Sequence, residues 1–106
     1  MANRFRALEA LGALADPTRR RIYERLLPGP LAVHQIADGM PVTRPAVSQH
    51  LRVLTEAGLV TVRPEGTRRV YAVSPEGIGA MRAFMDEFWG RALEGFRAAA
   101  AEALED

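Results

Sequence analysis

The chain has 106 residues, of which 48 % are apolar, enough for a single small hydrophobic core. It contains no cysteine, which excludes disulfides, thiolate metal ligands and a cysteine nucleophile, and its two histidines are too few for a histidine-built metal site. It shows neither an apolar run long enough to span a membrane nor a signal-peptide pattern, so we expect a soluble, cytoplasmic protein with no membrane partner.

The net charge of +1 conceals two oppositely charged parts of the chain. Residues 1–73 hold 11 arginines and six acidic residues, a balance of +5, whereas residues 74–106 hold three arginines and seven acidic residues, a balance of −4. A basic segment suits a polyanionic partner, and an acidic segment suits a different task. Charge alone does not establish a nucleic-acid partner, because a preference for arginine over lysine can also come from the source genome.

The first predicted helix covers residues 3–14. Its residues Phe5, Leu8 and Leu11 fall on one side, which is typical of an amphipathic helix. Asp16 and Pro17 suit the N-cap and the first position of a second helix, since proline lacks the N–H that a first turn leaves unpaired. The pattern therefore predicts two helices separated by a short turn.

The second predicted helix ends near Leu27, before a proline–glycine–proline break. Its inward-facing residues are Ile22, Tyr23 and Leu26. Its first turn carries Arg19, Arg20 and Arg21, where the positive end of the helix dipole disfavours them. These arginines either face a phosphate or lie in solvent, and the sequence leaves both interpretations open.

The next stretch predicts a short helix, a turn and a longer helix. The short helix covers Val33–Asp38 and buries Ile36 and Ala37. The longer helix has Thr43 as its N-cap and stops at Gly58, a residue free to take a positive φ. Its apolar stripe at helical spacing is formed by Val47, Leu51 and Leu54. Two helices joined by such a turn are typical of a helix-turn-helix motif.

The opposite side of the longer helix carries arginine and short hydrogen-bonding side chains, and we expect no acidic residue there. Projected at about 100° per residue, this side comprises Pro45, Ser48, Gln49 and Arg52, with Arg44 and His50 on its flanks. Such a face suits base edges and phosphates, although a merely solvated polar face has the same composition. His50 is accordingly either a phosphate contact or an inert surface residue.

Two β-rich runs, LVTVRP and RRVYAV, surround Glu65, Gly66 and Thr67 and predict a β-hairpin. Three arginines crowd the end of this hairpin, namely Arg63, Arg68 and Arg69. A two-stranded ribbon is marginally stable by itself in water, so we expect it to pack on the helices. A hairpin that directly follows the second helix makes the motif a winged helix-turn-helix.

A final helix begins at Ser74 and Pro75 and runs to about Ala103. Its apolar face includes Ile78, Met81, Met85, Phe88, Trp89 and Phe96. This face either packs on the core of its own chain or is buried, together with the first helix, against a second copy. We favour the second interpretation, because a small domain has little room for so many large side chains.

These motifs resemble the ArsR-type winged helix-turn-helix repressors of bacteria. The segment ALADPTRRRIYERLL is similar to the family's second-helix signature. The segment QIADGMPVTRPAVSQHLRVLTEAGLVTVRPEGTRRVYAV is similar to its helix-turn-helix and wing, in order and at the expected spacing. The resemblance covers nearly the whole chain, and it implies a mainly α fold with a small β-hairpin and a dimeric DNA-binding regulator.

The resemblance also implies that the helix Thr43–Ala57 enters the major groove of double-stranded DNA. The DNA-facing positions carried over are Thr43, Arg44, Pro45, Ser48, Gln49, His50, Arg52, Arg63, Arg68 and Arg69. We expect a homodimer interface formed by Phe5, Leu8, Leu11, Ile78, Met81, Met85, Phe88, Trp89 and Phe96. The chain would then be one winged-helix domain over residues 1–106, with a DNA-binding core at 15–73 and dimerisation helices at 1–14 and 74–106.

Metal sensing is not expected from this sequence. Metal-sensing members of the family carry cysteines in the first helix of the motif, or Asp, His and Glu sets along the final helix. Here the first stretch reads LAVHQIAD, without a thiol, and the final helix has acidic residues but no histidine. We therefore predict no metal and no cofactor, an unidentified effector if there is one, and a plain surface role for His34. Val33 replaces the hydroxyl residue that usually starts the short helix, which should weaken that cap.

Two other classes of function fit this sequence less well. No activated nucleophile, phosphate loop or general base accompanies the acidic residues of the final helix, so we do not expect an enzyme. A winged-helix module that only binds protein needs the same apolar helices but no outward-facing arginines, and their presence argues against it. The sequence therefore predicts a sequence-specific transcriptional regulator, a dimeric repressor on an inverted-repeat operator.

Overall fold

In a computed structural model, the described residues, Ala2–Glu105 with side chains from Arg6 onward, form five helices and a three-stranded antiparallel sheet. The helices are α1 (Ala2–Leu14), α2 (Pro17–Leu26), α3 (Val33–Ala37), α4 (Arg44–Glu56) and α5 (Pro75–Glu105). The strands are β1 (Leu31–Ala32), β2 (Val60–Glu65) and β3 (Arg68–Val73), and we call the β2–β3 hairpin the wing. The predicted fold class, mainly helical with a small β-hairpin in a winged helix-turn-helix arrangement, is confirmed.

Three helices begin at side-chain caps that the sequence predicted. Asp16, Thr43 and Ser74 each accept a hydrogen bond from the backbone N–H three residues further on, at 2.9, 3.2 and 3.3 Å respectively. These oxygens satisfy N–H groups that the first turn of a helix leaves without a partner. The starts of α2, α4 and α5 are thus fixed by local sequence.

One hydrophobic core joins α1, α2, α3, α4 and the base of the wing. Its fully buried large side chains are Ile22, Leu26, Ile36, Val47, Leu51, Leu54 and Leu59. The stripe predicted for α4 is therefore buried. Burying each such side chain contributes about 1.5–3 kcal/mol to the free energy of folding, and this fixes the rotation of the helix about its axis. The polar face of α4 must consequently point away from the core.

The arginines of α2 are used in a way that the sequence did not predict. Arg19 Nε donates to the carbonyl oxygen of Ala13 at 2.8 Å, and an Arg20 guanidinium nitrogen donates to that of Leu14 at 3.1 Å. The last carbonyls of a helix lack intrahelical donors and attract cations. Arg19 and Arg20 thus cap the end of α1, a role that neither interpretation included, and Arg20 and Arg21 are both exposed to solvent.

The sheet has one strand more than predicted. The two-residue strand β1 pairs antiparallel with β3, with Leu31 opposite Tyr71 and Ala32 opposite Val70, and the strand order is β1-β3-β2. The prediction of a hairpin alone was therefore incomplete. Because β1 runs directly into α3, this pairing ties the first helix of the motif to the wing.

The short helix α3 lacks the hydroxyl cap, as Val33 had suggested. Its N-cap residue is Ala32, which has no side-chain acceptor, and Gln35 Oε1 instead accepts from the Ala32 N–H at 2.8 Å. At the other end, the Arg25 guanidinium donates to the carbonyl oxygens of Ile36 and Asp38, at 3.0 and 2.5 Å. Both ends of α3 are thus held by side chains outside the usual cap position.

The start of α5 crosses the end of α4 at a contact between two glycines. A Cβ built on Gly77 would lie 2.3 Å from the carbonyl oxygen of Gly58, so only glycine permits this approach. Gly58 itself has a φ of +80°, which favours glycine and ends α4. A hydrogen bond of 2.8 Å from the Ser74 N–H to the Leu59 carbonyl oxygen joins the same segments.

The helix α5 has 31 residues and would be about 46 Å long. Beyond its contact with α1, its large apolar side chains are exposed: Phe88 and Trp89 at 55 %, Leu93 at 53 %, and Phe96 at 73 %. On α1 the buried face consists of alanines, and Leu8 is 50 % exposed. The radius of gyration is 18.3 Å, against about 13 Å for a compact chain of this length.

The remaining predicted interface residues fall into three groups. Leu11, Met81 and Met85 are half-buried within the chain, and Met81 packs against the core. Ile78 is exposed. The Phe5 side chain lies outside the described residues.

Within Ala2–Glu105, no helix combines the length and the apolar character needed to cross a membrane.

Candidate nucleic-acid interface

A groove of about 840 Å³ lies between the outer face of α4 and the wing. Its lining residues include four arginines, Arg44, Arg52, Arg68 and Arg69, and we call it the basic groove. Ser48 lines the groove from α4, and Val62 and Tyr71 line it from the wing. The chain thus brings arginines from a helix and from a hairpin to one concave surface.

The helix α4 presents the predicted face to solvent. Pro45, Ser48, Gln49 and Arg52 are all exposed, as is Arg44 at its first turn. Thr43 is also exposed, and its hydroxyl oxygen caps the helix. These residues lie opposite the buried stripe of α4, so the core determines which side chains are offered outward.

The wing separates its arginines between two faces. Gly66, with a φ of +64°, allows the tight turn that places Glu65 opposite Arg68. Successive side chains of a strand point to opposite faces, so Arg63 lies on the face away from Val62 and the basic groove. There it pairs with Glu65 at 3.4 Å. The register gives Arg68 the same face as Arg63, but Arg68 stands beside the turn and lines the basic groove together with Arg69, whereas Arg63 does not.

His50 also lies outside the basic groove. It is half-buried on the flank of α4 and sits close enough to Asp16 for its charge to act on that carboxylate. The backbone N–H of Arg19 is the main reason why the pKa of Asp16 is lowered, and the charges of Arg19 and His50 act in the same direction. His50 is not among the residues that line the basic groove, whereas Ser48 and Arg52 are.

One acidic residue contradicts the expectation for the outer face of α4. Glu56 lines the basic groove, and its Oε1 accepts a hydrogen bond of 3.1 Å from Arg52 Nε. The spacing of four residues was visible in the sequence and is typical of helical ion pairs. No role was predicted for Glu56, and its place beside Arg52 was missed.

Three further lining residues were not predicted as part of a site. His34 and Val33, from the start of α3, and Thr67, from the turn of the wing, border the basic groove. His34 is exposed there, on a surface that the pairing of β1 with β3 creates. No sequence signal marked this contribution, because a two-residue strand has no readable alternation.

Two acidic residues of α5, Asp86 and Glu87, pair locally with arginine. Arg82 lies 3.9 Å from Asp86, and Arg91 lies 3.0 Å from Glu87, both pairs being exposed and one helical turn apart. In the part of the chain that the structure describes, no three His, Asp or Glu side chains come together as a metal site would require. The expectation that this protein carries no metal stays a prediction.

A polar helix above a buried stripe, preceded by a short helix and followed by an arginine-bearing hairpin, defines the class of winged helix-turn-helix DNA-binding proteins. Comparison with known proteins agrees: residues 14–63 match the family of helix-turn-helix domains. The chain is 61 % identical over 84 residues to the HTH-type transcriptional regulator Rv2034 of Mycobacterium tuberculosis, covering 79 % of this chain and 78 % of that protein.

Two solved structures show the same fold over most of the chain. One, titled a possible transcriptional regulator for arsenical resistance, has a TM-score of 0.71 and 45 % identity, covering 86 % of this chain and 95 % of that one. The other is the homodimeric winged helix-turn-helix DNA-binding domain Mb0332 of Mycobacterium bovis, a possible ArsR-family regulator. It has a TM-score of 0.65 and 30 % identity, covering 85 % of this chain and 83 % of that one. The chain belongs to the ArsR-type winged helix-turn-helix regulators, and it is a DNA-binding transcriptional regulator.

Proposed function

We propose that the protein is a homodimeric repressor that binds an inverted-repeat operator, with one basic groove on each half-site. The observation that carries this proposal is the convergence of four arginines from α4 and the wing on a single concave surface. Cations on such a surface neutralise phosphates, and a helix with an exposed polar face fits the major groove. As a regulator of this kind, the protein needs no catalytic site, and it acts in the cytoplasm with its DNA.

The predicted DNA-facing side chains divide into two roles in this proposal. Ser48, Gln49 and Arg52 lie mid-helix and read base edges, since glutamine can bond adenine and arginine can bond guanine at two atoms each. Phosphates are contacted by the remaining residues of the predicted set: Thr43, Arg44 and Pro45 at the start of α4, Arg68 and Arg69 in the wing, and His50 and Arg63 outside the groove. Phosphate contacts set the register of the protein on the duplex and carry no sequence information directly.

Dimer formation through α5 and α1 is supported by the exposed apolar surface. Phe88, Trp89 and Phe96 are each more than half exposed in the single chain, and Leu8 on α1 is half exposed. A contiguous apolar surface of this kind marks an interaction site. The elongated shape, with extents of 68 × 28 × 21 Å, gives α5 a long side on which a second copy can pack. The related domain from Mycobacterium bovis is a homodimer, which supports the same arrangement.

The two-fold axis of such a dimer would set the recognition helices about 34 Å apart, one turn of DNA. The segments 1–14 and 74–106 then serve as dimerisation helices around a DNA-binding core at 15–73. An effector that shifts the interface would change the spacing of the two α4 helices and therefore the affinity for the operator. We propose that this effector is not a metal ion.

The test combines sedimentation with DNA binding, using duplex selected by the protein from a random pool. The wild type should sediment as a dimer at micromolar concentration, bind a full palindrome much more tightly than one half-site, and lose affinity steeply as salt rises. Phe96→Asp should weaken the dimer and the palindrome affinity together, without unfolding the chain, because Phe96 is 73 % exposed.

The matched control is Ala98→Asp, which adds the same charge about 200° around α5 from Phe96. This control should leave the dimer intact. A folded wild-type monomer that binds one half-site as tightly as the palindrome would overturn the proposal. So would an affinity for duplex that does not depend on salt, which is the behaviour of a module that binds only protein.

A further inference from the structure

The ion pair between Arg52 and Glu56 lies inside the basic groove, where an acidic residue is unfavourable. Among the described residues that line the groove, Glu56 is the single carboxylate beside four arginines. Its charge opposes the binding of any phosphate that approaches α4. A residue in this position therefore needs an explanation other than general affinity for DNA.

A contribution to the stability of the fold does not explain why Glu56 is present in the groove. The side chains of Arg52 and Glu56 are 75 % and 67 % exposed, and exposed pairs of this spacing stabilise a helix only slightly. Glu56 is also the last residue of α4, where the negative end of the helix dipole disfavours a carboxylate. The fold would be at least as stable with a neutral residue at this position.

The geometry of the pair suggests a different role. Glu56 accepts from Nε of Arg52, which leaves both terminal nitrogens of the guanidinium free. These two nitrogens form a second planar edge with donors in fixed geometry. An arginine held in this way still has the edge that bonds guanine O6 and N7 together.

We propose that Glu56 is a positioning residue that sets base specificity by holding Arg52 toward a guanine and by repelling phosphate as an alternative partner. This inference rests on the proposed function, in which α4 reads base edges. The other arginines of the groove contrast with Arg52, because within Ala2–Glu105 no carboxylate pairs with Arg44, Arg68 or Arg69. Those three remain free to follow the phosphates.

Removing the Glu56 carboxylate should raise the affinity for DNA of any sequence and lower the preference for particular bases. In Glu56→Ala, Arg52 is free to swing to a phosphate, so affinity for random duplex should rise and its salt slope should steepen by about one. The preference for the guanine read by Arg52 should fall by about fivefold or more, toward the 5- to 150-fold loss expected for Arg52→Ala. Glu56→Gln, which keeps an acceptor for Nε but loses the charge, should fall between the wild type and Glu56→Ala.

The experiment selects binding sites from a random duplex pool with four proteins: the wild type, Glu56→Ala, Arg52→Ala and the double variant. Base preferences at each position are then compared by competition at two salt concentrations. Asp86→Asn is the matched control, because it removes a carboxylate from an i,i+4 arginine pair on α5, remote from the groove. This control should leave base preference and salt slope unchanged.

The expected result is loss of preference at one and the same base pair in Glu56→Ala and Arg52→Ala, with no further loss in the double variant. An unchanged preference in Glu56→Ala would overturn the inference. A loss at a different base pair that persists without Arg52 would also overturn it, because Glu56 would then itself accept from a cytosine N4. If the wild type selects no sequence above random, the proposed function fails instead, so the two failures are distinguishable.

Discussion

Replacing Gly77 with alanine tests the contact between the start of α5 and the end of α4. The added Cβ would lie 2.3 Å from the Gly58 carbonyl oxygen and 3.2 Å from two further backbone atoms. To reach an acceptable separation of about 3.0 Å, the two segments must move apart by about 0.7 Å. All three neighbours are backbone atoms, so no side-chain rotation can relieve the clash. Overpacking of this kind destabilises by about 1–3 kcal/mol.

The matched control is Gly79→Ala, two residues further along the same helix. A Cβ on Gly79 meets no heavy atom within 4 Å, so this variant should gain helix propensity, up to about 1 kcal/mol. Because Gly77→Ala gains the same propensity, the difference between the two variants isolates the clash, and we expect about 1–3 kcal/mol. Urea unfolding with a common m-value measures this difference.

DNA binding provides a second measurement on the same variants. A displacement of α5 relative to α4 changes how two copies present their recognition helices, so Gly77→Ala should weaken palindrome binding more than half-site binding. Gly79→Ala should weaken neither. Equal unfolding free energies for the two variants would refute the packing argument, and equal losses on both kinds of DNA would refute the link between the contact and the dimer.

Three other expectations can be tested on single variants or conditions. Gln49→Ala should reduce binding to the selected site by about 1–3 kcal/mol and leave random duplex nearly unaffected, and equal losses on both would remove Gln49 from base reading. Tyr23→Phe should leave the stability unchanged or raise it by up to about 1 kcal/mol, because the buried Tyr23 hydroxyl has no hydrogen-bond partner among the described residues. A clear loss in urea unfolding would contradict this expectation, because it would show that the hydroxyl makes a hydrogen bond in the folded protein. Zinc, cadmium or arsenite at stoichiometric concentration should not release the DNA in a fluorescence titration, and stoichiometric release would contradict the prediction of no metal site.

The parts of the fold that local patterns determine could be predicted from the sequence. The buried stripe Val47, Leu51 and Leu54 and the caps Asp16, Thr43 and Ser74 appear where the spacing placed them. Both signals depend on residues within one or two helical turns of each other. The exposed face of α4 follows from the same stripe, so half of the basic groove was also predictable.

Features that depend on distant pairing could not be predicted. The strand β1 exists because Leu31 and Ala32 meet β3 about 40 residues later, and two residues carry no periodic signal. For the same reason His34 was not placed beside the wing. The hydrogen bonds of Arg19 and Arg20 could not be predicted because their acceptors, the last carbonyls of α1, become neighbours only once the two helices pack. Glu56 is a different case, because its spacing of four residues from Arg52 is visible in the sequence and already indicates the ion pair.

The strand order β1-β3-β2 leaves β2 at an edge of the sheet, with its outer side open to solvent. An open edge can recruit a strand from another molecule and begin aggregation. Here the edge carries Arg63, Pro64 and Glu65 in succession, and charged residues and proline are the ones that discourage such pairing. Arg63, which does not line the basic groove, thus helps to prevent β2 from pairing with a strand of another molecule. In the proposed dimer, the apolar side of α5 is the surface through which two copies associate.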